Sequence, residues 1–135
     1  MANTFHLEIV TPHRLFFSGP AEELIFPALD GLYGVEAGHE PEVTALSAGT
    51  LQYKADGVWN LAAVSDGFVE IMPDYVILLV SAAEHPDEID ENRALAAKAR
   101  AEERLRQQQS LQEYHRSKAA LARAMARLKT KGRQL

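Results

Sequence analysis

A chain of 135 residues with 47% hydrophobic and 24% charged residues has the composition of a globular protein and room for one ordinary domain or two small ones. The absence of cysteine excludes disulfides and thiolate metal sites, and the five histidines (His6, His13, His39, His85, His115) lack the close pairing of zinc helices, so no metal site is expected. No apolar run approaches the about 20 residues of a bilayer span, and residues 1–6 show no basic-then-apolar leader; the chain is expected to be soluble and to meet a membrane only through a protein partner.

The net charge of −5 conceals a switch of sign. Residues 1–83 hold 11 Asp and Glu against Arg14 and Lys54, a balance of −9, whereas residues 84–135 hold 12 Lys and Arg against 8 Asp and Glu, a balance of +4. Such asymmetry suggests two units with different surroundings, 1–84 and 85–135.

In chain order, Phe5, Leu7 and Ile9 alternate with His6, Glu8 and Val10, the period of a pleated strand. Leu15-Phe16-Phe17 ends at Ser18-Gly19-Pro20, and Leu24-Ile25-Phe26 ends at Pro27. Asp56-Gly57 between two strand-like runs predicts a two-residue hairpin, and Pro73-Asp74 separates two more runs. The pattern predicts an antiparallel β-sandwich or barrel of about eight to ten short strands.

The rule changes at Pro86. Asp87 and Asp90 are candidate N-caps, and residues 90–128 contain neither Gly nor Pro. Ala, Leu, Arg, Lys, Glu and Gln dominate, predicting helices over about 90–106 and 111–129 with a break at Gln107-Gln108-Gln109-Ser110. Leu111, Tyr114, Lys118, Leu121, Met125 and Leu128 follow 3-4 spacing and are expected to form the seam of the second helix; Ala94, Ala97, Ala101 and Leu105 form a smaller stripe on the first. Two readings stay open: a permanently docked hairpin, and one whose few large side chains hold it so weakly that a ligand or partner straightens it.

The local motifs resemble the epsilon subunits of bacterial and chloroplast ATP synthases. Val10-Thr11-Pro12 and Phe17-Ser18-Gly19 look like the family's first hairpin. The segment Gly31-Leu32-Tyr33-Gly34-Val35-Glu36-Ala37-Gly38-His39-Glu40-Pro41 is similar to its Gly-x-x-Gly…Gly-His-x-Pro stretch, and Ser65-Asp66-Gly67-Phe68-Val69-Glu70-Ile71 to a Ser-Gly-Gly-Phe-x-Glu-Val strand. Ile89-Asp90-Glu91-Asn92-Arg93-Ala94 matches the signature that opens the first C-terminal helix, and 124–128 resembles the end of the second. The likeness runs from about residue 4 to 129. Glu36, Glu40 and Glu42 depart from a usually apolar or neutral stretch, and Asp66 replaces a usual glycine, which questions the tightness of that turn.

The resemblance implies that Gly31, Leu32, Tyr33, Gly34 and His39 lie at the end of the sandwich that rests on the ring of proton-carrying membrane subunits. The glycines alone need only a loop, but Leu32 and Tyr33, expected to be exposed, are a poor choice for a bare tip. For His39, hydrogen bonding that fixes a turn is the preferred role, since no partner set for catalysis accompanies it.

Arg93 and Arg100 lie seven apart and Arg123 and Arg127 four apart; antiparallel helices would let the four guanidiniums converge on a polyphosphate. With Glu84, Ile89 and Asp90, they match the constellation that binds ATP in some members of the family. The blander alternative is that these arginines keep an Ala-rich helix soluble and meet acidic partners. No phosphate loop is present, so ATP would be a regulatory ligand, with no cofactor required. Nucleic acid is disfavoured, because acids intersperse the bases and Tyr114 is the only Phe, Trp or Tyr after residue 84.

By resemblance, then, the chain is expected to be a non-catalytic epsilon subunit of the rotary central stalk, coupling proton flow to ATP synthesis. Its expected partners are the gamma subunit, the proton-carrying ring, and the catalytic alpha and beta subunits met by the C-terminal helices. A mobile hairpin would inhibit ATP hydrolysis. The expected location is peripheral, on the cytoplasmic face of the bacterial plasma membrane. The alternative is a free-standing β-sandwich binding module with a helical oligomerisation tail.

Overall fold

The computed structural model describes residues 3–107 and 110–133. Ten strands come first: β1 Phe5–Val10, β2 Leu15–Ala21, β3 Glu23–Ala28, β4 Gly31–Glu36, β5 Glu42–Leu46, β6 Gly49–Ala55, β7 Val58–Val64, β8 Gly67–Ile71, β9 Tyr75–Val80 and β10 Ala83–Glu84. A 3-10 turn, Pro86–Glu88, leads to α1 Glu91–Arg106 and α2 Leu111–Gly132. The strands run in the order β10-β7-β6-β3-β5-β8-β9-β1-β2, with β4 paired to β3, and the sheet closes over one core. Phe17 of β2 meets Tyr53 of β6 with ring centroids 4.7 Å apart, bringing distant parts of the sheet together. The expected β-sandwich followed by two helices is what forms, with one refinement: β1 pairs with β9 in parallel, while every other ladder is antiparallel.

The period-2 pattern places Phe5, Leu7 and Ile9 in the core with His6 outside, and the opposing strands add Leu24, Phe26, Leu51, Val69, Ile71, Val76 and Leu78. Asp56 at φ 52° and Gly57 at φ 75° form the two-residue turn between β6 and β7, where two successive positive φ values match the twist of the strands. Asp66 needs no glycine-like φ; its carbonyl accepts from the Ser81 N–H at 3.1 Å, and its carboxylate from the Ser81 hydroxyl at 3.3 Å. The demand for a glycine falls on the next residue. A Cβ on Gly67 would lie 2.0 Å from the Leu79 carbonyl oxygen.

Asp90 caps α1, its carboxylate accepting from the Arg93 N–H at 3.1 Å, whereas Asp87 lies within the 3-10 turn and caps neither helix. Ser110 caps α2 through the Glu113 N–H at 3.2 Å. Gln107 closes α1; Gln108 and Gln109 of the expected break lie outside the described residues.

The stripe on α1 faces inward, with Ala94 and Ala101 buried and Ala97 and Leu105 half-buried. The seam expected on α2 is not the buried one. Leu111, Tyr114, Lys118 and Met125 are exposed, Leu121 and Leu128 half-buried, and the buried positions are Ser117, Ala124, Ala126 and Thr130. The reason is steric. α2 packs against α1 on one side and against β6 and β7 on another, and close approach on two sides selects small side chains.

Arg14 ties the linker to the sandwich. Its guanidinium donates to both Glu88 oxygens at 3.0 and 2.8 Å and to the Ala83 carbonyl at 2.9 Å. Thr11 holds the turn that presents it, its hydroxyl accepting from the Arg14 N–H at 3.0 Å. The Arg14 guanidinium and the His85 N–H together hold the Glu88 carboxyl down to about 2, well below its ordinary value, and His85 stacks on Phe16 at 4.1 Å.

Candidate functional site

Three surfaces collect the chemistry. The first is a cleft of about 260 Å³ between the helices and the sandwich. Ala97 of α1, Ala120, Arg123, Ala124 and Arg127 of α2, Ala63 and Val64 of β7, and Glu84 of β10 line it. Alanines make the space, and the two arginines and Glu84 supply its charge. The Glu84 carboxylate engages Arg127 through two atoms: Nη2 donates to Oε2 at 3.2 Å, and Nε lies 2.8 Å from Oε1. The buried Nε–H points off that oxygen, so this second contact is Coulombic rather than a directed hydrogen bond.

The other residues expected around a nucleotide are placed differently. Ile89 is 3% exposed and follows the 3-10 turn, its N–H donating to the Pro86 carbonyl at 3.2 Å. Asp90 is exposed and caps α1. Arg93, Arg100 and Arg123 are exposed, and among the described residues none forms an ion pair with them. The structure thus gathers Glu84, Arg123 and Arg127 in one cleft; Arg93 and Arg100 are exposed on α1, four and three residues from the cleft-lining Ala97 and so on the side of the helix that borders it.

The second surface is the tip of the β3–β4 hairpin. Register pairs Pro27 with Leu32 and Ala28 with Gly31, the latter at φ 134°. Leu32 is 70% exposed, as expected. Tyr33 is not: it is half-buried, packed 5.2 Å from the Phe26 ring. Its hydroxyl donates to Glu42, which raises the phenol above its ordinary range, and lies 3.1 Å from His39 Nε2. His39 Nδ1 lies 2.7 Å from the Glu40 carbonyl, so the imidazole is part of a local hydrogen-bonded turn. Gly34 is exposed on β4. Leu29, 77% exposed in the turn itself, completes the apolar tip; its sequence signal was a leucine directly before Asp30-Gly31.

The third surface was not anticipated. On the outer face of β5, β8, β9, β1 and β2 the register aligns Ala45 with Phe68, Phe68 with Leu79, Leu79 with Val10 and Val10 with Leu15. Residues in register share a face, so these form one apolar row across five strands. Phe68, Leu79 and Leu15 are exposed. Two signals could have found it: a phenylalanine on the polar side of Phe68-Val69-Glu70-Ile71, and Tyr75–Val80, apolar on both faces.

Comparison with known proteins places these surfaces in context. Residues 4–86 match the family described as ATP synthase, Delta/Epsilon chain, beta-sandwich domain, and residues 87–132 match ATP synthase, Delta/Epsilon chain, long alpha-helix domain. The chain is 56% identical over 131 residues to the ATP synthase epsilon chain of Ruminiclostridium cellulolyticum, covering 97% of this chain and 98% of that one. It is 52% identical over 130 residues to the ATP synthase epsilon chain of Caldanaerobacter subterraneus subsp. tengcongensis, covering 96% and 94%. Its fold is similar to that of a chain in the cryo-EM structure of the Euglena gracilis mitochondrial ATP synthase, with TM-score 0.81, 22% identity, and 93% and 79% of the two chains covered.

Proposed function

The chain belongs to the ATP synthase delta/epsilon chain family, and from that premise we propose that it is the epsilon subunit of the central stalk, a part that couples and regulates without an active site of its own. The observation that carries the coupling half is the apolar row through Phe68, Leu79 and Leu15. Contiguous exposed apolar surface on a charged domain marks a protein interface. We assign that face to the gamma subunit and the Leu29–Leu32 tip to the proton-carrying ring, so that torque from proton flow passes through the sandwich. Among the described residues no helix is long and apolar enough to cross a membrane. Attachment at the cytoplasmic face of the bacterial plasma membrane would therefore come through these partners.

The regulatory half rests on the cleft. ATP phosphates would meet Arg123 and Arg127, whose planar forks suit phosphate oxygens, and the nucleotide would bridge α2 to β10 and β7. A ligand that binds only the docked hairpin stabilises it by about 2.7 kcal/mol at a hundredfold excess over Kd. Undocked, the Arg- and Lys-rich helices would reach the alpha and beta subunits and oppose rotation in the hydrolysis direction. Calorimetric titration of the full chain should give saturable one-to-one ATP binding, weakened about tenfold or more in Arg123→Ala and in Arg127→Ala. Undiminished affinity in both variants would move ATP out of this cleft. In the assembled synthase, removing residues 90–135 should raise ATP hydrolysis; an unchanged rate would sink the inhibitory role of the helices.

A further inference from the structure

The contact between α2 and the sandwich includes the buried alanines Ala124 and Ala126 and a buried hydroxyl pair. Thr130, in the last turns of α2, is 0% exposed, and Thr50 on β6 is 5% exposed; their hydroxyls are 2.8 Å apart. Around them, Ala124 and Ala126 of α2 are buried and line the same cleft as Ala63 and Val64 of β7. Two further polar contacts flank the pair, Arg127 to Glu84 and the Lys131 ammonium to the Pro86 carbonyl at 3.1 Å, but both involve partly solvated groups.

An alanine surface is nearly featureless, so a helix sliding along it loses little apolar contact. A buried hydroxyl pair is directional. Displacing α2 by one residue or one turn would break the pair, and each buried hydroxyl that finds no other partner carries a penalty of roughly 5- to 150-fold in the equilibrium. Full release instead returns both to water, where they are solvated, so the pair opposes misdocking far more than it opposes release. A polar pair that fixes register in an otherwise apolar contact is a known use of buried polarity.

We propose that the Thr50–Thr130 hydroxyl pair is the catch that makes docking of α2 all-or-none, setting its register on the sandwich without locking it there. The proposal rests on the mobile-hairpin reading above and adds where its switching contact lies.

The test is a double-mutant cycle on the full chain with Thr50→Val and Thr130→Val, read by amide hydrogen exchange. Valine keeps the shape and β-branching of threonine, so helix and strand preferences are conserved. Each single substitution leaves one hydroxyl buried alone and should raise the opening equilibrium of the α2 amides around 124–131 by roughly 5- to 100-fold, with β1 and β9 amides unchanged. The double variant should return to within about threefold of the unsubstituted chain, because both hydroxyls are then gone. Single variants that exchange no faster, or a double variant whose effect is the product of the two singles, would overturn the catch while leaving the mobile hairpin intact. If the α2 amides of the unsubstituted chain open only together with the sandwich core, the mobile hairpin falls, and the catch with it.

Discussion

Replacing Gly67 with alanine is expected to destabilise the protein by about 3 kcal/mol, close to the upper end of what one added methyl group does to a packed core. A Cβ there would lie 2.0 Å from the Leu79 carbonyl oxygen, 2.8 Å from Val80 Cα and 2.9 Å from the Leu79 carbonyl carbon, all backbone atoms that cannot rotate away. Relief requires β8 and β9 to separate at the Gly67–Val80 pair, and Val69 and Ile71 of the same strand lie in the core. Gly34→Ala is the control. Nothing lies within 4 Å of its added Cβ and its φ is ordinary, so its effect should stay within about 0.5 kcal/mol. Urea denaturation of both variants decides the matter; equal midpoints would mean that the strands are looser than this geometry.

Phe68→Asp should leave the chain folded and abolish most of its affinity for the gamma subunit. The side chain is 62% exposed, so its replacement should cost about 1 kcal/mol, the span of strand preference and cross-strand pairing on an exposed face, and leave the core intact. At the partner's surface the same ring stands in the row with Leu79, Val10 and Leu15, where loss of a central aromatic anchor costs about 2–4 kcal/mol, roughly 30- to 1,000-fold in Kd. Trp59→Ala on β7, a strand that carries no member of the row, should bind normally. Titration with purified gamma subunit measures both. An unchanged Kd for Phe68→Asp would remove the row from the stalk interface and return the question to the hairpin tip.

The two sheet surfaces differ in how far they were legible. Leu32 could be suspected as soon as a large apolar residue stood between two glycines, because no local turn requirement explains it. Tyr33 misled the same reasoning, since its burial against Phe26 depends on β3 pairing beside it with Phe26 in register, and on Glu42 arriving from β5 to accept its hydroxyl hydrogen bond. The row through Phe68 and Leu79 shows in the sequence only as separate apolar residues on faces that should be polar. It appears only when β8, β9, β1 and β2 are aligned in register, which joins residues as distant as Val10 and Leu79.

Short-range physics settles several features from neighbouring residues alone. Asp56-Gly57 adopts positive φ with little penalty and sets a hairpin; alternation in Phe5–Val10 chooses a core face; Asp90 and Ser110 satisfy the first amides of their helices. These outcomes depend on sterics and hydrogen bonds within a few residues. Tertiary structure alone decided the parallel partner of β1, the joining of Glu84 to Arg127, and the face that α2 turns inward. The 3-4 spacing of Leu111, Tyr114, Lys118, Leu121, Met125 and Leu128 says that a helix has a largely apolar side, but whether that side is buried depends on how much room the neighbours leave. Here α1, β6 and β7 approach too closely for large side chains, so Ser117, Ala124, Ala126 and Thr130 take the contact.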